Sequence, residues 1–239
     1  MPADRAKKMF GCLRMHPKCC SPVLHGIQAL AFLFLTGCAR QPVLEPLDAV
    51  KHDSAQTYVF ECERNFAFVA RKEGDAIWLF LPDHAVQLPA VKNNSVPGYR
   101  SANISFDYRD GQATLELPEG RYEHCRNNAQ RAAWEHARLN GVDFRATGNT
   151  PDWILEITLD GDMRLINRSD NLTYRFITPK PLVLENERKT LYSTQNKTHQ
   201  IIVELVGTQC RDFTGITREV TVNISIDDQR LQGCGGALH

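Results

Sequence analysis

From residue 57 onward, apolar and polar positions alternate in short runs. Tyr58, Phe60 and Cys62 fall on one side of an extended segment, with Val59 and Glu61 on the other. Phe66-Ala67-Phe68-Val69-Ala70 repeats the pattern, Ile77 to Leu81 runs up to Pro82, and Val86 to Leu88 is a shorter stretch. Lys92 to Gly98, containing Asn93, Asn94 and Pro97, has loop chemistry. Asn103 to Tyr108 puts Ile104, Phe106 and Tyr108 on one face, and Ala113, Leu115 and Leu117 do the same after Asp110-Gly111. Asp-Gly between alternating runs is a two-residue hairpin signal. A period of two is that of a half-buried strand, and short strands at this spacing predict an antiparallel barrel or sandwich.

The period changes at Asn127. Ala129, Ala132, Ala133, Trp134, Ala137 and Leu139, with Arg131, Glu135 and Arg138 between them, predict a helix. Asn127 or Asn128 can cap its start and Gly141 can end it. The period of two then returns. Trp153 to Ile157 and Met163 to Ile166 flank the turn Asp160-Gly161-Asp162, and Leu172 to Ile177 is closed by Pro179 and Pro181. Residues 186–199 are polar and read as a long loop. Ile201 to Val206 is a central strand, Val220, Val222, Ile224 and Ile226 mark one buried face, and a short strand is expected near Leu231 to Cys234. The fold class expected is mainly β: a small antiparallel β-barrel, a linking helix, then a second β-rich domain. Trp153 and Phe144 read as core or interface anchors.

The first residues follow another logic. Arg5, Lys7, Lys8, Arg14 and Lys18 precede an apolar run from Ile27 to Leu35. That run is too short for a transmembrane helix, which needs roughly 20 residues, and fits the core of an export signal. It leads into Leu35-Thr36-Gly37-Cys38, which resembles the bacterial lipobox, whose Cys is acylated and becomes the new N-terminus. The expected organisation is a lipoprotein signal peptide at 1–37 and a lipidated tether at 38–54. A small β-barrel at 55–126, a linking helix at 127–141 and a β-rich C-terminal domain at 142–239 follow. Ala39 stands where Asp would retain the protein at the inner membrane. The expected address is therefore the periplasmic face of the outer membrane.

Charge and cysteines are then counted on the remainder. Lys plus Arg and Asp plus Glu are 28 each; without the five basic and one acidic residue of 1–38, they become 23 and 27, a net of −4. A mildly acidic protein is a poor general binder of nucleic acid and suits a cationic partner. Of eight cysteines, Cys12, Cys19 and Cys20 lie in the signal and Cys38 at the lipobox, leaving Cys62, Cys125, Cys210 and Cys234. An even number in an exported chain points to two disulfides. Three pairings are open, of which Cys62–Cys125 with Cys210–Cys234 gives one bridge to each half. There is no CxxC and no His at ligand spacing, so no metal site is expected. HExxH, GxSxG and a paired Cys-His arrangement are also missing, so neither an enzyme nor a cofactor is expected. Gly233, Gly235 and Gly236 lack the GxxxxGK pattern of a phosphate loop.

Residues 57–125 resemble the domain of membrane-bound and periplasmic inhibitors of C-type lysozyme. The resemblance rests on Tyr58 to Cys62, Phe66-Ala67-Phe68, Val86-Gln87-Leu88 and Ser95-Val96-Pro97-Gly98-Tyr99. Its strongest part is Phe106-Asp107-Tyr108-Arg109-Asp110-Gly111-Gln112-Ala113-Thr114-Leu115. It implies a small barrel tied by a disulfide matching Cys62–Cys125. It also implies a lysozyme-contacting pair: Ser95 offers a hydroxyl, and Arg109, where the family usually has Lys, offers the cation. Tyr99 would pack beneath the Ser95 loop. Asp107 replaces the family's Trp, and Arg109-Asp110 replaces its Lys-Gly. Residues 142–239 resemble the C-terminal half of a class of bacterial lipoproteins of uncharacterised function. That likeness rests on Phe144 to Trp153, Cys210-Arg211-Asp212, Gly215 and Gly233-Cys234-Gly235-Gly236, preceded by the helix around Trp134.

The expected function is therefore lipid-anchored inhibition of C-type lysozyme, with the membrane as the second partner. The alternative is an envelope structural or binding lipoprotein whose inhibitor-like domain is inactive. On sequence chemistry alone, Arg109 beside a hairpin turn reads as a solvated surface charge.

Overall fold

A computed structural model describes residues 55–91 and 98–239. Period-two alternation governs its first half. The strands are β1 (Gln56–Glu61), β2 (Ala67–Glu73), β3 (Ala76–Phe80), β4 (Ala85–Pro89), β5 (Tyr99–Ser101), β6 (Ile104–Arg109), β7 (Gln112–Leu117) and β8 (Gly120–Asn127). They form one antiparallel sheet in the order β4-β3-β2-β1-β8-β7-β6-β5. Each strand pairs with its neighbour in sequence except β4 with β5, and β8 returns to β1 at Phe60↔Asn127 and Glu61↔Arg126. On the far side a bridge between Ala90 and Tyr99 links the ends of β4 and β5, so the sheet is a nearly closed barrel.

Rings and aliphatic side chains together fill the barrel. Phe60, Phe68 and Phe106 are fully buried beside Ile77, Leu79, Leu88 and Leu115. Tyr58, Phe66, Tyr99, Tyr108 and Tyr122 pack around them. Ring centroids of Phe60 lie 5.3 Å from Phe68 and 5.6 Å from Phe106, in the tilted arrangement that aromatic pairs prefer. The hairpin after β6 turns at Asp110 and Gly111, with φ of 50° and 79°, as a two-residue turn of the mirror-image type requires. The Cys62–Cys125 disulfide ties the end of β1 to β8. His124, at φ 53°, lies beside the register shift between β7 and β8.

Helix α1 (Ala129–Leu139) follows. The Asn128 side chain accepts a hydrogen bond from Arg131 N, satisfying one free amide of the first turn. Gly141 ends the turn at φ 77°. Because β1 pairs with β8 at only two positions, its remaining edge is open to the helix. Thr57 Oγ1 lies 3.1 Å from His136 Nδ1, and Asn128 N donates to Val59 O at 2.8 Å.

The second half repeats the meander. Its strands are β9 (Phe144–Asn149), β10 (Asp152–Ile157), β11 (Asp162–Asn167), β12 (Leu172–Ile177), β13 (Leu182–Leu184), β14 (Lys189–Gln195), β15 (Gln200–Val206), β16 (Cys210–Arg211), β17 (Thr217–Arg218), β18 (Val220–Ile226) and β19 (Gln229–Ala237). Nine of them form a curled antiparallel sheet in the order β12-β11-β10-β9-β19-β18-β15-β14-β13, while β16 and β17 form a separate hairpin. The core is aliphatic around Trp153, with Leu155, Ile157, Leu165, Ile201 and Val203 fully buried.

The mainly β class and the linking helix agree with the sequence. Several stretches differ, among them β5, β8, β9, β13, β16 and β17, where the pattern predicts no strand. Residues 186–199 hold β14 instead of a long loop: Tyr192 is the buried anchor, and every residue from Lys189 to Gln195 pairs with β15. The last strand is nine residues long, because Gly233 and Gly235 leave room for neighbouring rings. A Cβ on Gly235 would stand 2.7 Å from Phe144 Cζ, and one on Gly233 would meet Trp153 Cζ2 at the same distance. The glycine run is thus a packing device in a strand.

Candidate functional site

The β5–β6 hairpin builds the outer face on which Arg109 sits. Inward positions 104, 106 and 108 pack on the barrel core, so alternation turns Ser105, Asp107 and Arg109 outward. Arg109 is exposed at the last position of β6, opposite Gln112. It has no ion-pair partner among the described residues. Around it lie Arg100, Asp107, Gln112, Glu116 and Arg121, lining an open polar cleft of about 470 Å³.

Most of this charge is paired. Arg100 Nη2 donates to Asp107 Oδ2 at 3.0 Å and to Oδ1 at 3.2 Å. Arg121 Nη1 donates to Glu116 Oε1 at 2.7 Å, and Ser105 Oγ donates to Glu116 Oε2 at 2.8 Å. Three guanidinium groups face two carboxylates in this cleft, and the uncompensated charge is at Arg109. A guanidinium so placed offers its planar fork to a carboxylate.

The neighbouring chain ends are fixed. Val91 N donates to Gly98 O at 2.8 Å, and Asp107 packs so closely on Gly98 that a Cβ there would collide with its carboxylate. Ser95 falls between these ends and lies outside the described residues. Tyr99 leads into the barrel, its ring centroid 6.2 Å from that of Phe106. Burial pushes its phenol above the ordinary value, and Tyr58 and Asp75 add to the effect. The Ser95 loop beneath which it is expected to pack lies outside the described residues. Cys38 also lies outside the described residues.

Both local disulfides are present, Cys62–Cys125 in the barrel and Cys210–Cys234 in the second sheet. Trp153 and Phe144 are core residues. Among the described residues no group of three or more His, Cys, Asp or Glu is placed to hold a metal ion. No helix among them is long and apolar enough to cross a membrane.

Sequence reasoning missed the Arg100–Asp107 pair. The signal was available in the hairpin register: Arg100 faces Ser105, which puts Asp107 at the diagonal position on the same face. The chain matches no protein-family model, no curated protein and no solved structure.

Proposed function

We propose that this chain is a lipid-anchored inhibitor of C-type lysozyme, held at the periplasmic face of the outer membrane through Cys38. The observation that carries the reading is the unpaired Arg109 guanidinium in a polar cleft at the outer end of β6. Lysozyme holds two carboxyl groups in an open cleft on either side of the scissile bond. Arg109 entering between them would form charge-assisted hydrogen bonds and deny substrate the site. Ser95 would add a hydroxyl contact. The net of −4 beyond residue 38 would favour encounter with a basic enzyme.

The test is a lysozyme activity titration at fixed ionic strength. Arg109→Ala is expected to cost about 2–5 kcal/mol of binding if the pair is desolvated, and Ser95→Ala about 1 kcal/mol. Arg109→Lys should retain much of the inhibition, and circular dichroism of each variant should match wild type. No binding to any of a panel of C-type lysozymes at micromolar concentration would refute the reading.

One observation favours the alternative of an envelope-binding lipoprotein with an inactive barrel. Asp107 stands where the resembled family has Trp, and it draws Arg100 into a pair beside Arg109. A carboxylate at that place would repel the acidic groups of a lysozyme cleft. Under this alternative Asp107→Trp should create inhibition where wild type has none.

A further inference from the structure

The excursion between β15 and β18 is held rigidly over the outer face of the second sheet. Cys210 is bonded to Cys234 of β19. Asp212, buried in the β16–β17 turn, accepts hydrogen bonds at Oδ1 from Thr214 N at 3.0 Å and Ile216 N at 2.9 Å. Its Oδ2 accepts from Arg218 Nε at 3.0 Å. Arg218 in turn lies 3.7 Å from the ring centroid of Trp134 on α1. A disulfide, a satisfied carboxylate and a cation–π contact thus fix one small hairpin.

This frame presents Phe213 with 57% of its surface exposed. A single exposed apolar residue is ordinary on a protein surface. Here, however, Phe213 lines an open cleft of about 490 Å³, within the roughly 300–1,000 Å³ range of small-molecule sites. The sheet contributes uncharged polar side chains to the lining: Thr147 and Asn149 on β9, Gln232 on β19 and Thr221 on β18, with Arg211 and Asp212 from the hairpin. Among the described residues, the Thr147 hydroxyl, Asn149 Nδ2 and Gln232 Oε1 have no hydrogen-bond partner. Arg211 Nε donates to Gly215 O at 2.8 Å, and its guanidinium has no carboxylate partner there.

We infer that this cleft binds a short glycan, one pyranose ring lying against Phe213 and its hydroxyl or acetamido groups bonding to Asn149, Gln232 and Thr147. The chemistry matches a sugar on both sides. A pyranose has an apolar C–H face that suits an aromatic ring, and its rim of donors and acceptors suits amide and hydroxyl side chains. The uncharged side chains of the sheet do not select a highly charged ligand, whereas Arg211 in the lining favours a sugar bearing one carboxylate. Because the hairpin is already immobilised, little loop entropy is lost on binding. The site shares no residue with the Arg109 cleft, so the two readings fail separately.

The experiment is a calorimetric titration of the full chain with two probes: the β-1,4-linked tetrasaccharide of N-acetylglucosamine, and a disaccharide of N-acetylglucosamine and N-acetylmuramic acid. Binding of at least one is expected below about 1 mM, weakened about tenfold by Phe213→Ala and retained by Phe213→Tyr. Arg211→Ala should weaken only the muramic probe, and Arg109→Ala should change neither. The exposed ring makes Phe213→Ala neutral for folding, which circular dichroism checks. No binding of either sugar at about 1 mM, or binding unchanged in Phe213→Ala, overturns the proposal.

Discussion

Where β4 meets β5 in the barrel, the Ala90–Tyr99 bridge spans the gap. At the corresponding place in the second sheet, β12 and β13 share no ladder, although β19 returns to β9 just as β8 returns to β1. The two meanders wind alike and finish differently. Among the described residues, all the large apolar side chains left exposed belong to the second one, with Ile177 on β12 and Leu182 and Val183 on β13 prominent among them. The charges divide in the other sense. Barrel pairs such as Arg100–Asp107 keep 45% and 27% of their side chains in solvent. The Arg145–Glu156 pair, beneath Trp134 of α1, keeps 10% on each side. A barrel that closes on itself leaves most of its charges outside, Arg71 on β2 being buried. A sheet thinned by glycine relies on a helix and a hairpin as covers, and these bury some of its charge.

That difference is broken most directly at Glu156. It pairs with Arg145 and also accepts from Arg164 at 2.7 Å. Burial holds the Arg145 guanidinium below its ordinary pKa, against the Glu156 carboxylate, which raises it. Glu156→Ala should therefore destabilise the second sheet by about 3–5 kcal/mol, because it strands a buried cation. Exchanging Arg145 and Glu156 together for Met and Leu should recover most of that loss. Urea unfolding, followed by tryptophan fluorescence, measures both.

A smaller loss is expected at Gly233. A Cβ there would collide with Thr147 O as well as crowd Trp153, so Gly233→Ala should cost about 1–3 kcal/mol. The same substitution at Gly236, with nothing within 4 Å of the added atom, should be nearly silent. Thermal melts of the two variants sharpen the claim that glycine sits in β19 for packing.

Local signals were legible where one face of one strand determines them. The Ile104-Phe106-Tyr108 alternation, the Asp110-Gly111 turn, the Asn128 cap and the Val220 to Ile226 strand all stand as the pattern implies. β14 was not legible, because Tyr192 is its one fully inserted side chain and its ladder comes from β15. β8 was obscured by His124, whose left-handed backbone interrupts the alternation between Tyr122 and Cys125. Of the barrel site, the position of Arg109 on an outward strand end could be read from alternation. Its partnership with the Arg100–Asp107 pair needed the hairpin register. The Phe213 cleft depends on a hairpin returning across a sheet, a contact that no local period encodes.

Asp212 connects that hairpin to pH. Burial alone would raise its pKa, but hydrogen bonds from Thr214, Ile216 and Arg218 outweigh it and hold the carboxyl below the ordinary 3.8. A group depressed in the folded state stabilises it above the unfolded pKa, and that contribution is lost as pH falls through the folded pKa. The second sheet should therefore lose about 1 kcal/mol below the ordinary carboxylate range, on the order of one strong hydrogen bond. Asp212→Asn should remove that acid-limb change while leaving the barrel's melting unaltered.

The smallest effect is expected where the barrel carries its own charge. Asp107→Ala breaks the Arg100–Asp107 pair in solvent, where Coulomb attraction is weak and two long side chains regain freedom. Stability should fall by less than about 1 kcal/mol, and the change should shrink further in high salt. The same substitution should nevertheless alter recognition. It leaves Arg100 without its carboxylate beside Arg109, so the face presents two uncompensated guanidinium groups. If that face meets the carboxylates of a lysozyme cleft, Asp107→Ala should tighten binding at low ionic strength and lose the gain as salt rises. A large stability loss would place this pair with Arg145–Glu156, ending the division drawn between the two sheets. An unchanged lysozyme affinity at every salt concentration would move the contact away from the Arg100 side of the cleft.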